Sequence, residues 1–314
     1  MKRYLLVALC ICMSFGAFAS DVDLVFYSQG IVRVVKGGEA PASSYAITMT
    51  PQKTEVKVSK TTSKTVYRTE SLRVEVDNRS GSISFFTSKG KYLTRDVDYS
   101  MTERDEGADK GSYIVKQGFR LEDSEPVYGL GILQDGKLSL RGKHIRMIQG
   151  NTEDFVPVVQ SVKGYGIIWD NPSPTVFDSE GNVMSFESEV GECVDYYFIY
   201  GGNADKVIAG IRQLTGKVPM LPLWSYGFMQ SRERYKSSAE LLGVLDSYRA
   251  AGIPIDGMVQ DWQYWGSNYL WNAMEFLNED FADAQGMIDK IHDSNAHLMI
   301  SIWSSFGPHT KQYR

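Results

Sequence analysis

The spacing of apolar residues changes once along this chain, near residue 203, and this change most constrains the fold. Before it, apolar and polar residues alternate with a period of two, as in residues 72–77, and turn residues such as those at 78–81 separate the runs. Such alternation is typical of antiparallel strands with one buried face. After it, Val207, Ile211 and Leu214 fall at helical spacing. The sequence therefore predicts a β domain followed by an α/β region.

In the α/β region, the sequence predicts the element order strand, helix, strand, helix, strand. The predicted strands cover residues 224–229, 255–260 and 297–303, and the predicted helices begin at residues 237 and 283. Each helical crossover brings the chain back parallel to the preceding strand. The second strand is densely apolar, as a parallel strand buried on both faces should be. We expect a parallel sheet with helices packed on it.

Residues 1–19 predict a signal peptide. Lys2 and Arg3 precede an apolar run, and residues 17–19 form a small-residue cleavage pattern. The run is shorter than the roughly 20 residues that a membrane-spanning helix needs, so no membrane span is predicted. A buried first helix is the alternative. Removal of the segment leaves Cys193 as the only thiol, so we expect an exported protein without an internal disulfide, in the periplasm or on the surface of a bacterium.

The predicted domains are residues 20–218 and 219–314. The chain is 43% apolar and 23% charged, which is typical of a soluble globular protein. The net charge of −5, without a basic run, argues against nucleic-acid binding. The four histidines lack the spacing of zinc ligands, so neither a metal nor another cofactor is predicted.

One acidic residue, Asp261, follows the second predicted parallel strand, and aromatic residues crowd the loop after it. The carboxyl ends of parallel strands hold the active sites of barrel enzymes. A carboxylate there could accept hydrogen bonds from two sugar hydroxyls. The flat rings of Trp262 and Trp265 could pack against sugar C–H faces, and Trp303 after the third strand follows the same logic. These residues predict a sugar-binding site.

Each of these residues also has a purely structural alternative. Asp261 could cap the loop that follows its strand. Two or three of the aromatic rings could be core residues of the loop itself. Arg232, after the first strand, fits an ion-pair partner better than a ligand.

Several segments, taken in their order and spacing, resemble glycoside hydrolase family 31, the α-glucosidase and α-xylosidase family. They are residues 128–131, 163–167, 169–172, 222–232 and 252–261. The strand end at 260–265 is more similar to the bacterial α-xylosidases than to typical α-glucosidases. The resemblance covers nearly the whole chain after the signal peptide.

The resemblance implies a galactose-mutarotase-like antiparallel β-sandwich, followed by the first three strands of a (β/α)8 TIM barrel that is incomplete at Arg314. It also implies a retaining mechanism, in which one carboxylate attacks the anomeric carbon and a second acts as acid and base. In the family both carboxylates lie on later strands, so we expect them beyond Arg314. A loop of the β domain borders the substrate pocket in the family, and Asp154 could supply that contact or simply be a turn residue.

The predicted function is the release of α-linked xylose or glucose from oligosaccharides or polysaccharides. The predicted substrate contacts are Asp261, Trp262, Trp265, Trp303 and Asp154. We expect the 314-residue chain alone to be inactive and prone to aggregate, because its sheet would have an unpaired edge. The alternative is a non-catalytic carbohydrate-binding β-sandwich that carries a barrel remnant.

Overall fold

The computed structural model describes residues 22–39 and 41–314, so the predicted signal peptide lies outside the described residues. The chain divides into two compact units, with the boundary between Val218 and Pro219. Each unit has its own buried apolar core. Among the described residues, no helix is both long and apolar enough to cross a membrane.

The first unit is built from β-strands and ends in one helix, α1. Its described strands are β1 (Val22–Ser28), β2 (Ile31–Lys36), β3 (Lys57–Lys60), β4 (Lys64–Arg68), β5 (Leu72–Asp77), β6 (Ile83–Thr87), β7 (Tyr92–Glu103), β8 (Tyr113–Arg120), β9 (Val127–Ile132), β10 (His144–Met147), β11 (Asp154–Ser161), β12 (Tyr165–Trp169), β13 (Thr175–Asp178), β14 (Val183–Gly191) and β15 (Val194–Tyr200), and α1 covers Ala204–Thr215.

These strands form two antiparallel sheets. In the described residues, the six-stranded sheet has the order β1-β2-β15-β12-β11-β9, and the nine-stranded sheet has the order β10-β13-β14-β8-β7-β6-β5-β4-β3. The alternating run at 72–77 forms β5, and after the turn at 78–81 it pairs with β6 as a hairpin, with Leu72 opposite Thr87. Its turn is held by the Asp77 carboxylate, which accepts hydrogen bonds from the backbone N–H groups of Arg79 and Ser80.

The inner faces of the two sheets meet in an aromatic core. Phe85 of the nine-stranded sheet stacks on Phe198 of the six-stranded sheet, with ring centroids 3.9 Å apart. A buried ion pair also joins the sheets, from Lys36 in β2 to Asp96 in β7. The second Asp96 oxygen accepts hydrogen bonds from the Ile83 N–H at 2.6 Å and from the Ser82 hydroxyl. The charge on Asp96 is therefore fully compensated inside the sandwich.

Helix α1 covers the outer face of the six-stranded sheet. Val207 and Leu214 are fully buried against Tyr197 and Ile199. Because helix and core cover both of its faces, β15 is buried along most of its length. This explains why its sequence is an almost unbroken apolar run rather than an alternating one.

The second unit is a parallel sheet with helices packed on it. Its described elements are β16 (Met229–Gln230), α2 (Ser238–Ala250), β17 (Gly257–Gln260), α3 (Ala284–Asp293) and β18 (His297–Ile300). The sheet has the order β16-β17-β18, with parallel pairing throughout. The predicted alternation of strands and helices is confirmed.

The first predicted strand of this unit, 224–229, is wrong for most of its length. Leu223–Tyr226 forms a 3₁₀ turn, and only Met229–Gln230 pairs with β17. The Pro222 carbonyl accepts hydrogen bonds from both the N–H and the hydroxyl of Ser225. These local bonds compete with the sheet ladder for the same backbone groups.

Helix α2 begins where it was predicted, with Ser237 as its N-cap. Ser237 and Glu240 form most of a capping box, in which each side chain binds a backbone N–H of the first turn. The Ser237 hydroxyl accepts a hydrogen bond from the Glu240 N–H at 3.1 Å. The Glu240 carboxylate accepts one from the Lys236 N–H at 2.7 Å, rather than from the Ser237 N–H. Leu241 and Leu245 then fall on the buried face of the helix.

Candidate functional site

The residues that follow the parallel strands lie together at one edge of the second unit. Parallel strands place their carboxyl ends side by side, so the segments after β16, β17 and β18 converge there. Asp261 directly follows β17, and Trp303 lies three residues beyond Ile300, the last residue of β18. The backbone pairing of β17 with β18 continues one residue beyond β18, where the Ser301 N–H donates to the Gln260 carbonyl at 3.0 Å.

Asp261 has a structural role that involves only one of its two oxygens. Its Oδ1 accepts a hydrogen bond from the Trp262 N–H at 2.8 Å and caps the 3₁₀ turn Trp262–Trp265. Among the residues that the structure describes, no hydrogen bond reaches Oδ2. The side chain is half-buried. The capping alternative is therefore confirmed for one oxygen, while the other can still accept a hydrogen bond from a ligand.

The electrostatics at this strand end reflect both burial and the negative charge of Asp261. Burial raises the pKa of Tyr264, and the Asp261 charge raises it further. The Tyr264 hydroxyl donates to the Ser301 carbonyl at 2.8 Å. A neutral phenol therefore bridges the ends of β17 and β18 beside the carboxylate.

The two tryptophans nearest Asp261 have different environments. Trp262 is half-buried, and the guanidinium carbon of Arg234 lies 4.7 Å from its ring centroid in a cation–π contact. Trp265 is 0% exposed. Its ring is a core residue of the loop in this structure, as the structural alternative anticipates. The predicted sugar contacts at Trp262 and Trp265 stay predictions, and only Trp262 presents part of its ring to solvent.

Trp271 lies at the centre of the aromatic cluster. Its ring centroid is 6.3 Å from that of Trp262, 5.1 Å from that of Trp265 and 5.1 Å from that of Trp303. Trp303 is 43% exposed. Trp262 and Trp303 therefore both pack near the Trp271 ring, and none of the three is fully buried. We call Trp262, Trp271 and Trp303 the tryptophan wall.

Gln260 is a buried polar residue that the sequence did not single out. It is 0% exposed, and its Nε2 donates to the carbonyls of Tyr235 and Asp261 at 3.1 and 3.0 Å. Its Oε1 has no hydrogen-bond partner among the described residues. These bonds fix the backbone at the end of β17 and at the segment after β16, and so they hold the carboxylate in place.

Asp154, the predicted contact in the first unit, is the exposed first residue of β11. It pairs with Ile132 of β9, next to Gly131, which has a left-handed φ of +94°. A Cβ atom on Gly131 would lie 2.0 Å from the Asp154 carbonyl oxygen, so only glycine fits there. Gly131 therefore allows the close backbone approach of β9 to β11 at Asp154. The contact of Asp154 with substrate stays a prediction.

Arg232, after β16, forms an ion pair with Glu240 at 3.0 Å, as expected for a structural residue. Within the described residues, no group of three or more acidic, histidine or cysteine side chains is placed to hold a metal ion.

Two family models match the chain. The N-terminal galactose mutarotase-like domain of glycosyl hydrolase 31 matches residues 21–178, and the TIM-barrel domain of glycosyl hydrolases family 31 matches residues 218–314. An α-xylosidase of Saccharolobus solfataricus is 36% identical over 307 residues, which cover 94% of this chain and 42% of the relative. α-Glucosidase 2 of Bacillus thermoamyloliquefaciens is 25% identical over 277 residues, which cover 80% of this chain and 33% of the relative. The chain thus spans less than half the length of these relatives.

Two solved structures of similar fold come from the same family. A family 31 α-xylosidase from Xanthomonas citri matches with a TM-score of 0.86 at 24% identity, over 94% of this chain and 49% of that one. A family 31 α-xylosidase from a soil metagenome, complexed with xylose, matches with a TM-score of 0.83 at 24% identity, over 95% of this chain and 47% of that one. At this identity the likeness shows the fold alone. The predicted fold class, a mutarotase-like β-sandwich followed by the start of a TIM barrel, is confirmed.

Proposed function

The chain belongs to glycoside hydrolase family 31, and on that premise we propose that the protein is a retaining hydrolase that releases α-linked xylose or glucose from oligosaccharides or polysaccharides. The observation that carries the proposal is the half-buried Asp261 carboxylate at the end of β17, with one oxygen free of partners among the described residues. It follows the barrel strand at the edge where enzymes of this architecture bind their substrates.

The second unit supplies the part of the site that grips the sugar. Oδ2 of Asp261 accepts hydrogen bonds from ring hydroxyls, and these bonds are strong because the acceptor is charged. The exposed parts of Trp262 and Trp303 pack against the C–H faces of the ring. Burial of Tyr264 and Trp265 behind them keeps water away from the back of the site.

Xylose is the favoured sugar at the cleaved position. The α-xylosidase of S. solfataricus, at 36% identity, supports this choice, as does the strand end at 260–265. Xylose differs from glucose by the absence of one hydroxymethyl group. A pocket too narrow for this group discriminates between the two sugars by steric fit. A difference of about one methylene group is worth roughly 1–3 kcal/mol of discrimination.

The two catalytic carboxylates are proposed to lie outside these 314 residues, and no residue here is given either role. The nucleophilic carboxylate attacks the anomeric carbon as the acid protonates the leaving oxygen. Water, activated by the same residue acting as base, then hydrolyses the glycosyl–enzyme bond. On this proposal the 314-residue chain contacts the sugar but does not cleave the bond.

Kinetics on paired substrates test the proposal. The complete gene product is assayed with an aryl α-xyloside and the matching aryl α-glucoside, and kcat/KM is compared. We expect turnover of both, with the xyloside preferred. Absence of turnover together with measurable sugar binding would favour the alternative, a carbohydrate-binding β-sandwich, over the hydrolase.

Export is proposed on the sequence of residues 1–19. The pattern at Ala17–Ala19 places the cleavage site before Ser20. N-terminal sequencing of the protein isolated from its native host should begin at Ser20. Recovery of the intact N-terminus from the cytoplasm would contradict export and leave the hydrolase proposal untouched.

A further inference from the structure

Asn272 is a fully buried polar residue with an unusual backbone conformation. It lies directly after Trp271 in the loop between β17 and α3, and it is 0% exposed. Its φ is +56°, in the left-handed region, which asparagine adopts more readily than most residues. A buried amide in such a conformation needs compensating contacts.

Both polar atoms of the Asn272 side chain bond to the backbone of one residue, Trp303. Its Nδ2 donates to the Trp303 carbonyl, and its Oδ1 accepts from the Trp303 N–H at 3.1 Å. The side chain thus makes the pair of bonds that a neighbouring strand would make. It does so at the point where β18 has ended and the ladder to β17 no longer supports the chain.

The ring and the backbone of Trp303 are held by consecutive residues. The Trp271 ring packs on the Trp303 ring at 5.1 Å, while Asn272 holds the Trp303 backbone. The Trp271 carbonyl also accepts a hydrogen bond from the Gly307 N–H at 2.9 Å, which ties the same two loops together again. The orientation of Trp303 therefore depends on Asn272, 31 positions earlier in the chain, and on its neighbour Trp271.

We propose that Asn272 is a positioning residue that fixes Trp303, and through it the exposed part of the tryptophan wall, for contact with the sugar ring. Only the last step, the contact with sugar, rests on the proposed function. Asn272 itself is buried and does not touch substrate. It acts by keeping a partly exposed ring in a single position before the sugar arrives, which removes an ordering cost from binding.

The decisive variant is Asn272→Gly, because glycine keeps the left-handed conformation and removes both bonds. Asn295→Gly is the matched control. Asn295 has a similar φ of +52° but is exposed and lies before β18, away from the tryptophan wall. Asn272→Asp is the second variant, since it keeps an acceptor for the Trp303 N–H and replaces the amide donor by a buried carboxyl group.

Two readouts are measured on the complete gene product. Hydrogen exchange at the Trp303 amide is expected to accelerate about fivefold or more in Asn272→Gly, because the N–H loses its acceptor and a net hydrogen bond of about 1 kcal/mol corresponds to that factor. KM for the aryl α-xyloside is expected to rise about tenfold in Asn272→Gly, with kcat less affected. Exchange at the Trp303 amide in Asn272→Asp should stay slower than in Asn272→Gly, because the acceptor is kept. Asn295→Gly should match the wild type in both readouts.

Each outcome decides one step. A merely structural role would lower the active fraction, and so the apparent kcat, without raising KM. Unchanged exchange at Trp303 in Asn272→Gly would overturn the positioning role. Faster exchange with an unchanged KM would overturn the link to sugar. A wild type that hydrolyses no aryl glycoside contradicts the proposed function, and the exchange rates then decide the positioning role alone.

Discussion

Replacing Asp261 by asparagine separates the two roles of this residue. Asparagine caps a helical turn as well as aspartate does, so Asp261→Asn should keep the bond from the Trp262 N–H. It removes the negative charge that a sugar hydroxyl would use at Oδ2. The substitution should therefore leave the fold intact and weaken substrate binding.

The expected loss follows from the one oxygen that has no partner in the described residues. A hydrogen bond to a charged group contributes roughly 1.5–3 kcal/mol. Since 1.4 kcal/mol corresponds to about a factor of ten, kcat/KM should fall by about 10- to 100-fold. The free energy of unfolding should change by less than about 0.5 kcal/mol, because the cap is retained.

The assay compares kcat/KM on an aryl α-xyloside with urea unfolding of the same variants of the complete gene product. Asp283→Asn is the control, because Asp283 is also an N-cap residue, with its Oδ1 accepting from the Gly286 N–H at 3.0 Å. It should show wild-type activity. Equal kcat/KM for Asp261→Asn and the wild type would mean that Asp261 is only a cap, and would refute the reasoning.

The remaining predictions concern stability and association. Lys36→Met should lower the free energy of unfolding of the first unit by about 3–5 kcal/mol in urea titrations, because it leaves the buried Asp96 unpaired. Lys64→Met, which breaks the partly exposed pair with Glu75, should cost at most about 1 kcal/mol, and equal losses would contradict the argument. Burial raises the pKa of Asp170 above its ordinary 3.8. The contribution of Asp170 to the free energy of unfolding is therefore present below pH 3.8 and is lost as the pH rises through the folded pKa. Asp170→Asn should gain stability relative to wild type as the pH rises. The hydrogen bond with His144 lowers the pKa of Asp178. The contribution of Asp178 to the free energy of unfolding is therefore present above pH 3.8 and is lost as the pH falls through the folded pKa. In thermal melts, Asp178→Asn should gain stability relative to wild type as the pH falls. Light scattering should detect self-association of the 314-residue chain, whose edge strand β18 exposes Met299 and Ile300, and a monodisperse monomer would contradict this.

The spacing of apolar residues and the turn residues were enough to predict a β domain followed by an α/β region. The alternation at 72–77 produced a hairpin, and the helical spacing of Val207, Ile211 and Leu214 produced α1. These features depend on which face of an element is buried, and a sequence records that face directly. The strand predicted at 224–229 failed because local bonds to the Pro222 carbonyl replaced the ladder. Periodicity carries no sign of such competition.

The candidate site was predictable only in part. Asp261 was found because it ends an apolar run, and its capping role follows from the same position. The sequence did not say which rings of the loop would be buried, and Trp265 is the fully buried one among the predicted contacts. The cation–π contact between Arg234 and Trp262 and the bonds from Asn272 to Trp303 were not predicted. They join residues far apart in the chain, and only the packing of the loops at the strand ends brings them together. One local hint existed, an asparagine inside an aromatic loop, where a left-handed residue is often needed.

The most direct test of the central claim is the stereochemistry of the sugar first released by the complete gene product. An aryl α-xyloside is hydrolysed in an NMR tube, and the anomeric proton signals are followed before mutarotation mixes them. We expect α-xylose to appear first, as double displacement through two carboxylates requires. Release of β-xylose first, or no release at all, would contradict it.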